Sequence, residues 1–187
     1  DSGVDASRII LSGDSAGGNL ALAMLQRVRA SGKPLPRLVV LLSPWVDLEC
    51  RGDSVAFNDP YDYLSRDLLE LFAAYYLQGA DPRDPQASPV HADLSGFPPM
   101  LLQAGGGETL LSEIRTLARR AERQGVRVTL QEWDGMCHAF HGFSMFIPEA
   151  TRAFHEIGAW VNSQQQWPRA GLLQRSAPRL HRLFAPA

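Results

Sequence analysis

Apolar positions along the chain fall into two kinds of run, short continuous ones and longer ones at helical spacing, and the two kinds alternate. Residues 8–12 (Arg-Ile-Ile-Leu-Ser) are a short apolar run ending in Gly13, and residues 16–29, rich in Ala, Leu, Met, Gln and Arg, follow at once. The first reads as a buried strand and the second as a helix. Residues 37–42 (Arg-Leu-Val-Val-Leu-Leu) repeat the strand after the breaker Gly32-Lys33-Pro34 and are closed by Ser43-Pro44. Residues 47–65 carry Asp, Asn, Gly, Pro and Tyr without a sustained period and read as a surface excursion. Leu68, Leu71, Phe72, Tyr75 and Tyr76 then recur at helical spacing and predict a helix over 67–77, with Gly79 as its terminator. Residues 81–99 form a Pro-rich loop, long enough to cover a site or tether elements.

Residues 100–103 predict a third strand, from which Gly105-Gly106-Gly107 turn out; Ser112 is placed to cap a helix reaching Gln124, and Gly125 to end it. Over 126–131, Val126, Val128 and Leu130 alternate with polar neighbours, the pattern of a fourth strand at an edge. A last helix is expected over 148–162. Strands alternating with helices imply an α/β fold, a mostly parallel sheet with helices on both faces. After residue 162 the composition turns Gln-rich and then Arg-rich. Gly171, Pro178 and Pro186 interrupt any amphipathic helix on Leu172, Leu173, Leu180 and Leu183, so 163–187 reads as a disordered tail behind a domain spanning 1–162.

Length and composition narrow the setting. A chain of 187 residues, 45% hydrophobic and 20% charged, is an ordinary globular composition and favours one domain. A net charge of -2 and a pI near 6.2 supply no basic field for nucleic acid. The two cysteines, Cys50 and Cys137, are too few for a disulfide scaffold and have no metal-ligand spacing; a reducing, cytoplasmic compartment fits them best. No run approaches the roughly 20 apolar residues that span a bilayer, so stable membrane insertion is not expected. The chain opens Asp1-Ser2-Gly3 without Met or a signal-peptide pattern, and its first strand begins within a few residues; we expect an N-terminal portion ahead of it.

Gly13-Asp14-Ser15-Ala16-Gly17 fits G-x-S-x-G between a strand and a helix, the setting in which the pattern marks a nucleophilic serine. The tight turn is expected to need glycine two positions either side of Ser15, because a side chain there would strike the neighbouring backbone. At the start of a helix, the Ala16 N–H is placed to stabilise an oxyanion. A serine needs a base, and the order serine, acid, histidine puts that base in the loop after the last strand. His138 and His141 both qualify there; His138 is favoured because the glycine-containing loop before it can swing its ring back toward Ser15. For the acid, Glu108 follows the third strand directly and leads over Asp47, after the second, and Glu113, inside the next helix. Trp45 and Met136, at strand ends, are candidates for lining the substrate pocket.

Gly13-Asp14-Ser15-Ala16-Gly17-Gly18-Asn19 resembles the GDSAGGN elbow of the hormone-sensitive-lipase-like branch of the α/β-hydrolases, and Asp134-Gly135-Met136-Cys137-His138-Ala139-Phe140 is similar to its histidine loop. Ser43-Pro44-Trp45-Val46-Asp47, Ala87-Ser88-Pro89 and Phe97-Pro98-Pro99 are similar to further landmarks of that family. Gly106-Gly107-Glu108-Thr109-Leu110-Leu111 resembles the acid loop of members that use glutamate. The resemblance covers about residues 1–162. It implies the α/β-hydrolase fold and a carboxylic ester hydrolase acting through Ser15, His138 and Glu108 by an acyl-enzyme on esters of short to medium acyl chains. It implies no metal or organic cofactor, a small-molecule ester as partner, and it allows a homodimer through the last strand. Family members also carry earlier strands, a helical cap and an H-G-G-G loop that donates further oxyanion N–H groups, and no H-G-G-G occurs in these residues. Two alternatives stand beside the esterase: a catalytically incompetent fragment or ligand-binding protein on the same fold, and an amidase or peptidase using the same triad.

Overall fold

The computed structural model describes residues 3–164. Four strands, β1 (Ile10–Asp14), β2 (Leu38–Leu42), β3 (Met100–Gly105) and β4 (Val128–Trp133), form one parallel sheet in the order β1-β2-β3-β4. Leu11 pairs with Val39, Val39 with Met100, and Met100 with Val128. β1 starts two residues later than its apolar run suggested, because Ala6–Arg8 form a 3-10 turn in which the Asp5 carboxylate accepts from the Ser7 N–H at 2.9 Å. β4 lies at the end of the sheet, as its alternation predicted, and none of its residues is fully buried.

The parity of β3 explains the layers. Met100, Leu102 and Ala104 join Val39 and Leu41 of β2 in a core that also takes Leu22 and Leu25 from α1 (Ala16–Ala30) and Ile114 and Leu117 from α4 (Leu111–Arg123). Gln103, of opposite parity, donates through Nε2 to the carbonyl of Ala153 at 3.0 Å, in α5 (Pro148–Ser163). Helices therefore cover both faces of the sheet. β3 is buried at every position, which is why apolar residues and glycine fill it apart from the hydrogen-bonded Gln103.

Three elements differ from expectation. The surface excursion contains a short helix, α2 (Asp53–Phe57). Ser112 does not cap α4; it lies inside the first turn, where its Oγ meets Ser54 Oγ at 2.8 Å and accepts from the Ser54 N–H at 3.2 Å, pinning α2 to α4. In α3 (Arg66–Leu77), whose first turn Ser65 caps by accepting from the Leu68 N–H, the core-facing residues are Leu69 and Ala73. The residues whose spacing predicted the helix, Leu68, Leu71, Phe72, Tyr75 and Tyr76, are all exposed, Tyr75 at 71%. Helical periodicity finds the helix without saying which side faces the core. α5 ends at Ser163, and apart from Ser163 and Gln164 the expected tail lies outside the described residues. Cys50 and Cys137 are free thiols, and no helix among the described residues is long and apolar enough to cross a membrane.

Candidate active site

Ser15 occupies the turn from β1 into α1 with φ 49° and ψ -122°, a conformation costly for a residue with a Cβ. Neighbours hold it there: its N–H donates to the Leu42 carbonyl at 2.9 Å, and its carbonyl accepts from the Trp45 N–H at 3.0 Å. A Cβ on Gly13 would lie 2.3 Å from the Gly17 carbonyl oxygen, so glycine is obligatory at that position. The matching expectation for Gly17 does not hold, since the nearest atom to a Cβ there, Asp14 Oδ1, is 3.7 Å away, an ordinary contact. The turn folds the Gly17 carbonyl over Gly13, and the crowding falls on one of the pair only. Ala16 is the first residue of α1, so its N–H is among those without an intrahelical partner.

From the loop after β4, His138 reaches back so that its Nε2 lies 2.8 Å from Ser15 Oγ. The ring is buried, and burial pushes its pKa down to about 4, opposed by the charges of Asp62 and Asp14. Nδ1 is buried without a hydrogen-bond partner. His141 is placed elsewhere: its Nε2 meets Gln103 Oε1 at 2.9 Å and its ring packs 4.0 Å from that of Phe140. Burial also lowers His141 to about 4.

Glu108 is fully buried after β3. Its Oε2 accepts from Ser43 Oγ at 2.6 Å and from the Gly105 N–H at 2.8 Å, whereas Oε1 has no partner and makes no bond to His138 in this structure. Burial pushes the carboxyl up to about 8 against those two hydrogen bonds. The acid and histidine loops nonetheless lie directly on one another. A Cβ on Gly105 would sit 2.3 Å from the Met136 carbonyl oxygen, and the Gly107 N–H donates to that same oxygen at 2.9 Å. Ser43 Oγ also accepts from the Ala139 N–H at 3.1 Å, joining the two loops a second time. The rival acids lie elsewhere: Asp47 accepts from the Glu49 N–H, and Glu113 is buried in α4 with both oxygens unpartnered and its pKa raised well above the usual range by burial.

Sequence reasoning missed three residues that build this site. Asn19, the last of the elbow motif, donates from Nδ2 to the carbonyls of Trp45 and Ala87 at 2.9 and 2.7 Å. Ser43 and Asp62 join the loops; Ser43 sat in a quoted motif, but Asp62 lies in an irregular segment where no periodicity or motif singled it out.

An apolar cavity of about 360 Å³ opens beside Ser15, lined by Ser15, Trp45, Leu48, Leu64, Phe72 and Tyr76 among others. Of the two pocket candidates, Trp45 is on its wall, whereas Met136 packs with Trp133 and Phe140 in a second cluster and does not line this cavity. The strand-end position that suggested Met136 puts its backbone, through the carbonyl, against the acid loop instead. Among the described residues, one group has metal-ligand geometry, Asp47, Glu49 and His91, with ligand atoms within 4.8 Å of one another. Glu49 there already pairs with Arg51 and Arg83.

A family model described as alpha/beta hydrolase fold matches residues 1–142. An acetyl-hydrolase of Streptomyces hygroscopicus is 42% identical over 165 residues, which are 87% of this chain and 55% of that protein. An esterase of Acinetobacter venetianus is 36% identical over 163 residues, 86% of this chain and 54% of its own length. Among solved structures, an esterase from the bacterial hormone-sensitive lipase family superposes with a TM-score of 0.84 at 45% identity, covering 87% of this chain and 55% of that one. EstE5, soaked with p-nitrophenyl butyrate, gives 0.83 at 38% with the same coverage. The chain thus spans about half the length of the relatives it matches. It belongs to the α/β-hydrolase fold family, and its relatives there are esterases of the hormone-sensitive-lipase-like branch.

Proposed function

We propose that this chain carries the catalytic triad of a carboxylic ester hydrolase, with Ser15 as nucleophile, His138 as general base and acid, and Glu108 as the residue that orients His138. The observation that carries the reading is the 2.8 Å contact between Ser15 Oγ and a neutral His138 Nε2 at a strained strand-to-helix turn. Ser15 attacks the ester carbonyl carbon while Nε2 takes the hydroxyl proton, and the Ala16 N–H donates to the oxyanion. The tetrahedral intermediate collapses, expelling the alcohol with the proton from Nε2. Water, deprotonated by the same nitrogen, then cleaves the acyl-enzyme to acid and free Ser15. For Glu108, the support is complementary: Oε1 is a buried acceptor without a donor, Nδ1 is a buried nitrogen without a partner, and their loops are bonded together. Paired with each other, these two atoms would fix the tautomer that leaves Nε2 free to accept.

The substrate we assign is an ester of a short to medium acyl chain, accommodated in the apolar cavity walled by Trp45, Phe72 and Tyr76. The same triad serves amides, and matched ester and amide substrates separate the two reactions. We further infer a homodimer through the free edge of β4, and a cytoplasmic setting consistent with two unpaired cysteines. The test is hydrolysis of p-nitrophenyl butyrate together with labelling by a fluorophosphonate. Turnover and labelling that both vanish in Ser15→Ala support the triad; a folded protein that neither turns over nor labels makes the chain a non-catalytic member of the fold.

A further inference from the structure

The Asp62 carboxylate, 7% exposed, is shared between the two loops that carry the base and the acid. Its Oδ1 accepts from the backbone N–H of His138 at 3.1 Å, and its Oδ2 accepts from the backbone N–H of Thr109, the residue after Glu108, at 2.8 Å. Thr109 Oγ1 lies 3.2 Å from the same Oδ2 and 2.9 Å from the Leu64 carbonyl, closing the contact to the segment that presents Asp62. In sequence, the two amides are 76 and 47 residues away from Asp62. Nothing local brings them together. We propose that Asp62 is a positioning residue of the esterase: it holds the histidine and acid loops in the register that the triad needs and stations a negative charge beside the imidazole. The inference rests on the triad reading given above.

The donor and acceptor inventory explains why the residue must be an aspartate. Both backbone groups are donors, so the side chain between them must offer two acceptor atoms and no N–H. A carboxylate does this. An asparagine has the same shape but turns an NH₂ toward one of the two amides, which loses its acceptor in a buried place. The charge has a second consequence. Proton transfer from Ser15 makes an imidazolium, and Asp62 favours that form, as does Asp14 from the β1 side. The other titratable groups near the charge, Glu108, Tyr63 and Cys137, are each pushed upward, first by burial and further by that charge.

The test compares Asp62→Asn with wild type in the intact protein, following kcat, KM and the pH profile of kcat/KM on p-nitrophenyl butyrate, with far-UV circular dichroism for fold. Misplacing the base and acid loops is expected to lower kcat on the order of 10²-fold with KM within about twofold. The acidic limb of kcat/KM should also move to lower pH, because the charge that raises His138 is gone. A merely structural role would lower the melting temperature and leave that limb where it was, which overturns the proposal. So does a kcat within about twofold of wild type in the folded variant. If Asp62→Asn does not fold, Asp62→Glu decides: it keeps the charge but displaces it by a methylene, so the limb should stay in place while kcat falls, and an unchanged kcat refutes the register argument. Wild-type protein that neither turns over nor labels brings down the triad reading and this proposal with it. Wild-type turnover abolished by Ser15→Ala, with Asp62→Asn unimpaired, refutes this proposal alone.

Discussion

Glu108 answers to two opposed demands. In the proposed triad, orienting His138 requires its charge, whereas burial pushes its pKa up to about 8, so that at neutral pH the fold favours the protonated form. The unfolded chain titrates near 4.5. A folded pKa above the unfolded one contributes stability that is fully present below 4.5 and lost as pH rises to about 8. Glu108→Gln removes this term while its amide oxygen still accepts from Ser43 and Gly105. The variant should lose kcat on the order of 10⁴-fold, as when a triad acid is neutralised, with the protein folded. Urea unfolding at pH 5 and pH 8 should find it gaining stability over wild type as pH rises. A variant that loses ground at pH 8 contradicts the raised carboxyl. Ser15 and His138 stand out as candidates in the sequence because a motif constrains its residues over a few positions. Asp62 and Ser43 were not, since each acts through a hydrogen bond to an amide far away in the chain.

Among the elements, the strand-to-helix turn gives the sharpest contrast. Gly13 and Gly17 look equivalent in the motif, yet only Gly13 lies against another residue's carbonyl. Gly13→Ala should prevent the turn from closing, with loss of fluorophosphonate labelling and a lowered melting temperature. Gly17→Ala should melt at or above the wild-type temperature, since alanine near a helix start is favoured over glycine by up to about 1 kcal/mol. Equal damage from both substitutions would mean that the turn is crowded on both sides. The four strands and the helices α1, α3, α4 and α5 were readable from the sequence pattern, with boundaries displaced by up to about two residues, whereas the short α2 was not. The facing of α3 was not. Its exposed stripe includes Phe72 and Tyr76, which wall the cavity beside Ser15, so residues that marked the helix by their spacing line the candidate site.

At the scale of the fold, the four-stranded sheet has two unpaired edges among the described residues, β1 and β4. Ile9, on the approach to β1, is an exposed apolar residue on the β1 side. A dimer formed through β4 should survive Ile9→Lys in sedimentation equilibrium, because that charge lies at the opposite edge; dissociation would move the interface to the β1 side. The order of the strands and of the longer helices, the family, and the candidate nucleophile and base, Ser15 and His138, were legible in the sequence alone. Each is written in a local period or a short motif, and local signals survive without knowledge of the fold. Tertiary structure decided which glycine the elbow requires, which face of α3 meets the core, that Met136 packs with Trp133 and Phe140, and that a carboxylate from the irregular segment ties the acid and histidine loops together. Those outcomes depend on atoms far apart in the chain meeting at van der Waals or hydrogen-bond distance, and no one-dimensional pattern specifies such a meeting.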